Sequence, residues 1–198
     1  LLFKKTIKII LMKKYNKFLI NLDRRKHRLK NAMLTLNKTN INIKRYSAID
    51  GKNIEINDEL KKRINPWNLD KKNMPDENIL KAILGCCLSH LNIWNQISKM
   101  KDEYVFVFED DICLSNECID FNYQWKKLNN KLPKDFGLIW LNNNKKFKKS
   151  SDITNDKIIK TTEQRTTEAY ILKPSFAKEL FNYINNNLGA VDAHMSQY

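Results

Sequence analysis

Glycine is scarce in this 198-residue chain, which holds only Gly51, Gly85, Gly137 and Gly189. Four isolated glycines cannot build G-x-G-x-x-G or G-x-x-x-x-G-K-[ST]. A phosphate bound here must therefore be neutralised by side chains or a metal rather than cradled by a glycine loop. No run of eighteen apolar residues occurs, so the sequence offers no candidate membrane span. Cysteine is also sparse, and Cys86, Cys87, Cys113 and Cys118 have the spacing of neither a metal ladder nor a secreted disulfide framework. Adjacent thiols in a helix point to different sides and cannot bridge without distortion, so all four are expected reduced. Cys86 and Cys87 fall in an apolar helical pattern and are expected to be largely buried.

Arginine numbers only six, although the formal charge is +14. Lys, Asn and Ile together make up 78 of the 198 residues, which marks the basic excess as compositional bias. The lysines are scattered in twos rather than gathered into one arm, and few aromatics alternate with arginine. A solvated basic surface is therefore expected, with no nucleic-acid partner. Small anionic ligands such as a sugar diphosphate remain electrostatically favoured. The N-terminal LLFKKTIKIILMKKYNKFLI is broken by Lys4, Lys5, Lys8, Lys13 and Lys14 and has no small-residue cleavage site, so it makes a poor signal peptide. Residues 1–16 read as a variable extension, with translation starting at Met12, and 17–198 as one domain. The expected location is the cytoplasm, with peripheral contact at a membrane surface left open.

What is present is enough for one substantial core, since 42% of residues are hydrophobic and 10% aromatic. KFLINL (17–22) reads as a buried strand, with Asp23 as N-cap of a helix carrying Leu29, Ala32, Met33 and Leu36. INIKRYSAIDG (41–51) reads as a second strand ending in a turn at Asp50-Gly51. Residues 52–75 form a polar excursion with a short helix. A long helix follows from Asp76, striped by Leu80, Leu84, Cys87, Leu91, Trp94 and Ile97. YVFVFEDD (104–111), FGLIWL (136–141) and TTEAYIL (166–172) supply three more strands, 142–157 a mobile loop, and 176–187 a closing helix. This alternation predicts one α/β domain with a mostly parallel central sheet.

VFVFEDDICL (105–114) runs an apolar strand straight into Glu109, Asp110 and Asp111. Like charges repel, so the stretch needs a positive partner. At the carboxyl edge of a parallel sheet, where ligands bind, clustered carboxylates suit a hard cation such as Mn²⁺ or Mg²⁺ that carries a phosphate. A turn or helix cap is the plainer explanation.

Four stretches in order are similar to the motifs of glycosyltransferase family 25, the lipopolysaccharide-type and procollagen galactosyltransferase family: FLINLDRRKHRLKN (18–31), RYSAIDGK (45–52), LGCCLSHLNIW (84–94) and VFVFEDDICL. TEAYILKPSFAKEL (167–180) and AVDAHM (190–195) extend the resemblance over residues 17–195. It implies a GT-A-type nucleotide-sugar-binding domain, a divalent metal, UDP-galactose as donor, a glycan or hydroxylysine-type acceptor, and inversion at the anomeric carbon. Under it Asp111 is the first metal ligand, Glu109 ligates directly or through water, and Asp110 either ligates or holds the ribose. His194 could complete the metal shell, or lie in a terminal loop.

Arg25 and Arg28 share a helix face near its positive end and suit a diphosphate, or simply face solvent. Asn21, Leu22, Ala48, Asp50 and Gly51 resemble the nucleoside-binding edge. Ser89 and His90 face the donor under the resemblance; by itself His90 reads as a satisfied core residue. Inversion requires a base for the acceptor hydroxyl, with Asp192 preferred and Glu168 its rival. A catalytically silent nucleotide-sugar-binding domain is the alternative reading.

Overall fold

Strand β1 (Lys17–Asn21) is buried on both faces, and its alternating side chains divide the core in two. Phe18 and Ile20 join Val105 and Val107 of β3 (Val105–Glu109) and Tyr170 and Leu172 of β7 (Ala169–Leu172) on one face. Leu19 joins Phe106, Phe108 and Ile171 on the other. Helices α3 (Glu77–Ile97), α5 (Pro174–Ile184) and α6 (Val191–Gln197) cover the first face. Helices α1 (Lys26–Asn37) and α4 (Phe121–Asn129) cover the second. The result is a helix–sheet–helix sandwich with helices on both sides. The computed structural model describes residues 15–38, 41–70, 75–113, 121–141, 153–155, 158–159 and 166–197. No helix among them is long and apolar enough to cross a membrane.

With β2 (Lys44–Ser47) and β4 (Leu138–Trp140), the main sheet runs β2-β1-β3-β7-β4. Strand β1 pairs parallel with β2 and β3, whereas β7 is antiparallel to both β3 and β4. The sheet is therefore mixed, not mostly parallel as expected. A central strand buried on both faces reads as the same apolar run in either direction, so periodicity cannot orient it. The reversal matters for the site: it sets Thr167 and Glu168, just before β7, beside the carboxyl end of β3. Glu109 N–H donates to the Glu168 carbonyl at 2.8 Å.

The long helix α3 begins where its cap predicts, with the Asp76 side chain accepting the Asn78 N–H at 2.8 Å. Every residue of its predicted apolar stripe is buried. Adjacent helical positions lie about 100° apart, so Cys87 takes the core while Cys86 turns out. Cys86 is exposed, against expectation. Cys86, Cys87 and Cys113 are free, and Cys118 lies outside the described residues. Asp23 does not cap α1 either. Its carboxylate accepts from Arg45 and, at 2.8 Å, from Ser47, both on β2, while Arg25 holds the N-cap position with no side-chain hydrogen bond.

Several segments depart from the sequence reading. The polar excursion holds the short helix α2 (Asp58–Lys61) and a 3-10 turn at Pro66–Leu69. Helix α4 was not foreseen, although Phe121, Trp125 and Leu128 pack on the second face. Nor was α6. Strands β5 (Ile153–Asn155) and β6 (Ile158–Ile159) pair where a loop was expected; 142–152 and 156–157 lie outside the described residues. So do residues 1–14 of the expected extension. Tyr15 and Asn16 belong to the domain's packing: Tyr15 stacks on Tyr104 at 4.2 Å, and the Asn16 side chain donates to Asp102.

One close contact fixes the loop after β2. A Cβ on Gly85 would lie 2.8 Å from Gly51 N, 2.9 Å from Gly51 Cα and 2.9 Å from the Ile49 carbonyl oxygen. These are backbone atoms and cannot swing aside. Ser89 completes the attachment, its hydroxyl accepting the Ile49 N–H at 2.8 Å and donating to the Gly85 carbonyl at 2.6 Å. Alanine has a helix propensity about 1 kcal/mol better than glycine. Overpacking against rigid atoms costs about 1–3 kcal/mol. Gly85→Ala is thus expected to lower the urea midpoint or, at the low end of that cost, to forfeit the propensity gain; a raised midpoint would contradict the contact.

Candidate functional site

Parallel pairing brings the carboxyl ends of β1, β2 and β3 to one edge, where open α/β sheets bind ligands. A cleft of about 550 Å³ lies there. One wall is the end of β1 and the turn into α1, from Ile20 to Arg28. The loop Ala48–Lys52 forms a second wall, and α3 presents Asn78, Lys81, Ala82, Cys86, Ser89 and His90. Glu109 and Asp110 line it from the end of β3.

Of the residues singled out in the sequence, Asn21, Leu22, Arg25, Arg28, Ala48, Asp50, Gly51, Ser89, His90, Glu109 and Asp110 all meet at this cleft. Asp111 and Glu168 flank the same strand end without lining it. Asp192 and His194 lie on α6 and are not among the residues that line the cleft. The Asp192 carboxylate accepts the Ala193 N–H at 2.8 Å. The His194 ring meets Tyr183 edge-on, and its Nδ1 is buried with no hydrogen-bond partner among the described residues. Burial lowers the pKa of His194, opposed by Asp192.

The three consecutive acids go three ways. Glu109 turns inward: its Oε1 contacts His90 Nε2 at 3.0 Å and accepts from Thr167 Oγ1. Burial pushes its pKa up, but His90 and Thr167 outweigh this and hold the carboxyl below its ordinary value. His90 is 1% exposed. Burial opposes its charge, yet Cys86 and Glu109 raise its pKa to about 9. Its Nδ1 lies 2.7 Å from the Tyr170 hydroxyl, which also accepts from Trp94 Nε1 at 2.9 Å.

Asp110 is enclosed, accepting from Asn21 Nδ2 at 2.7 Å and Arg28 at 2.9 Å. Buried Asn21 in turn accepts from Arg45 at 3.1 Å, so Asp110 ties β3 to β1 and α1. Asp111 is left half-exposed, in a long 3.5 Å contact with Arg28. Partial burial and then the charge of Glu109 raise its pKa. Glu168 is likewise raised, first by burial and then by Asp111 and Glu109. The positive partners of EDD are therefore Arg28 and His90.

Arg24, Arg25, Arg28, Lys52 and Lys81 face the cleft against Asp50, Glu109 and Asp110. Arg24 pairs with Asp50, lowering that carboxyl's pKa. The uncapped start of α1 leaves N–H donors and the positive end of its dipole at the same wall. Such a wall suits an anion such as a diphosphate. Oxygen donors at Asp111 fit a hard divalent cation of the Mn²⁺ or Mg²⁺ kind, which would offset the repulsion that raises its pKa.

Sequence reasoning missed Arg24, Lys52, Asn78, Lys81 and Cys86. The signal was available on α3, where Asn78, Ala82, Cys86 and His90 recur at four-residue spacing in a row that converges on the edge of the apolar stripe at His90. Thr167 carried no such signal, because its place follows from the direction of β7.

Comparison with known proteins bears on this geometry. The sequence pattern of "Glycosyltransferase family 25 (LPS biosynthesis protein)" matches residues 14–195. The chain is 28% identical over 123 residues to procollagen galactosyltransferase 2 of Mus musculus, covering 60% of this chain and 18% of the mouse protein. It is 32% identical over 112 residues to the Homo sapiens protein of that name, covering 56% and 16%. Procollagen galactosyltransferase 1 of Danio rerio is 35% identical over 97 residues, covering 48% and 16%. The chain thus spans less than a fifth of the length of these curated relatives. The match across nearly all of its described residues shows that the chain belongs to glycosyltransferase family 25.

Proposed function

We propose that this chain is the donor-binding part of a galactosyl-type glycosyltransferase, with a GT-A-type arrangement, that moves a sugar from a UDP-sugar to an acceptor hydroxyl with inversion. The observation that carries the reading is the cleft at the parallel strand ends. Arginines and an uncapped helix start form one wall there, and the half-exposed Asp111 stands at the rim. Family membership and the names of the procollagen galactosyltransferases support galactose as the sugar and a glycan or hydroxylysine-type acceptor.

In this reading Arg25, Arg28 and the first N–H groups of α1 hold the diphosphate, and the Ala48–Gly51 loop with Asn21 and Leu22 borders the nucleoside. Asp111 would hold a Mn²⁺ or Mg²⁺ ion, with water or substrate oxygens completing its shell. When bound, that ion supplies Lewis-acid neutralisation of the leaving diphosphate. Asp110, engaged on both oxygens by Asn21 and Arg28, orients the guanidinium in this reading rather than ligating. Glu168, whose carbonyl accepts the Glu109 N–H at the end of β3, is favoured over Asp192 on α6 as the base that takes the acceptor proton. His90 keeps Glu109 charged and fixed at the cleft floor.

Thermal melting with UDP and Mn²⁺, separately and together, tests donor binding; stabilisation that needs both supports the reading. Release of galactose from UDP-galactose, or its transfer, then separates an enzyme from a silent binding domain. Asp111→Ala should remove the Mn²⁺-dependent part of UDP affinity in calorimetry and leave the melting temperature of the free protein unchanged or higher, since a like-charge repulsion is relieved. Unaltered UDP affinity would sink the assignment of Asp111. Glu168→Gln should keep UDP binding but cut turnover by about 10²–10⁴, the range for loss of a general base. A variant as fast as wild type would return the role to Asp192.

A further inference from the structure

We infer that Cys86, His90 and Glu109 form a binding site for a borderline-soft metal ion, Zn²⁺ above all, at the floor of the cleft. It is distinct from the oxygen-only donor at Asp111 and stands whether or not the galactosyl reading holds.

Cys86 and His90 are one helical turn apart and so share a face of α3. The end of β3 brings Glu109 against that face. A sulfur, an imidazole nitrogen and a carboxylate oxygen from these residues all lie within 4.8 Å of one another. At zinc bond lengths of about 2.0–2.3 Å, tetrahedral ligand atoms stand roughly 3.3–3.7 Å apart. His90 Nε2 and Glu109 Oε1 are already at 3.0 Å. An ion can therefore be admitted with side-chain shifts on the order of 1 Å.

The surroundings of His90 favour ligation. With Nδ1–H held on the Tyr170 hydroxyl at 2.7 Å, it is Nε2, whose proton now meets Glu109, that an incoming ion would deprotonate and bind. Tyr170 is itself held by Trp94, and both are fully buried. Metal-bound histidines carry this kind of outer hydrogen bond, which sets the tautomer and the ring plane. Glu109 has a matching partner in Thr167. Coordination needs a thiolate and a neutral imidazole, so binding releases protons.

The donor set decides which ion enters. A thiolate with an imidazole selects Zn²⁺ or Co²⁺ over Mg²⁺ and Mn²⁺, which prefer oxygen. Because Cys86 is exposed and lines the cleft, the fourth position opens toward the ligand space rather than into protein. Three protein ligands plus an open position is the pattern of zinc sites that bind water or substrate, not of closed structural ones.

Co²⁺ added to the metal-free 198-residue chain is the probe, because thiolate ligation gives a near-ultraviolet charge-transfer band. Wild type should develop that band and saturate at one equivalent, and Zn²⁺ should bleach it. Cys86→Ser, at an exposed position that the fold does not need, should abolish the band, while Cys113→Ser should leave it. Tyr170→Phe should weaken Co²⁺ binding about 10–100-fold, the usual cost of losing an outer hydrogen bond to a ligand. Absence of the band in wild type overturns the proposal. So does its persistence in Cys86→Ser, which would assign it to another thiol. Saturation by Mn²⁺ as readily as by Zn²⁺ would also overturn the stated selectivity.

Discussion

The cleft depends on keeping one carboxylate charged in a place that disfavours charge. Glu109 ends the central strand β3 with only 24% of its side chain exposed, and an unpaired ion so placed would cost several kcal/mol. His90 answers it from α3, Thr167 from just before β7, and Tyr170 and Trp94 hold His90 in place. Three elements, β3, α3 and β7, are thereby locked around a single carboxyl group. Removing either member of the His90–Glu109 pair would strand the other, so the floor of the cleft behaves as one unit.

Around that floor, charge and close packing set the shape. Asp110 absorbs part of the positive charge of Arg28 and in doing so holds its guanidinium at the cleft wall. Asn21, gripped by Arg45, connects that pairing to the edge strand β2. On the opposite wall, the backbone contact between Gly51 and Gly85 seats the Ala48–Lys52 loop directly on α3. The glycines that cannot form a phosphate loop instead bring a loop and a helix together. Even with Arg24 and Arg28 paired, the cleft is lined by more basic than acidic side chains, and the half-exposed Asp111 stands at its rim, a combination suited to an anion carried with a cation.

Much of this was legible in the chain. The stripe on α3 and the apolar runs of β1 and β3 carry their own periodicity, and the gathering of 21–28, 48–51 and 109–110 follows from strand ends meeting at one edge, whereas 89–90, within α3, were placed there only by the family resemblance. What was not legible depended on direction or on competition. The orientation of β7 leaves no trace in an apolar run, so Thr167 went unseen. Asp23 looked like a cap, but Arg45 and Ser47 offered its carboxylate stronger partners than the helix N–H groups did. Cys86 and Cys87 looked alike until helical geometry gave the core to one and the cleft to the other. Helix α4 is short and set among Asn and Lys, so its three apolar anchors did not stand out.

In the proposed donor complex a nucleoside diphosphate lies between the start of α1 and the loop after β2. Hydrogen–deuterium exchange with UDP and Mn²⁺ present and absent is the decisive measurement. Ligand-dependent protection is expected at the amides of residues 26–29 and 49–52, with little change along α5. Protection confined to α5 and α6, or none in the first turn of α1, would contradict it.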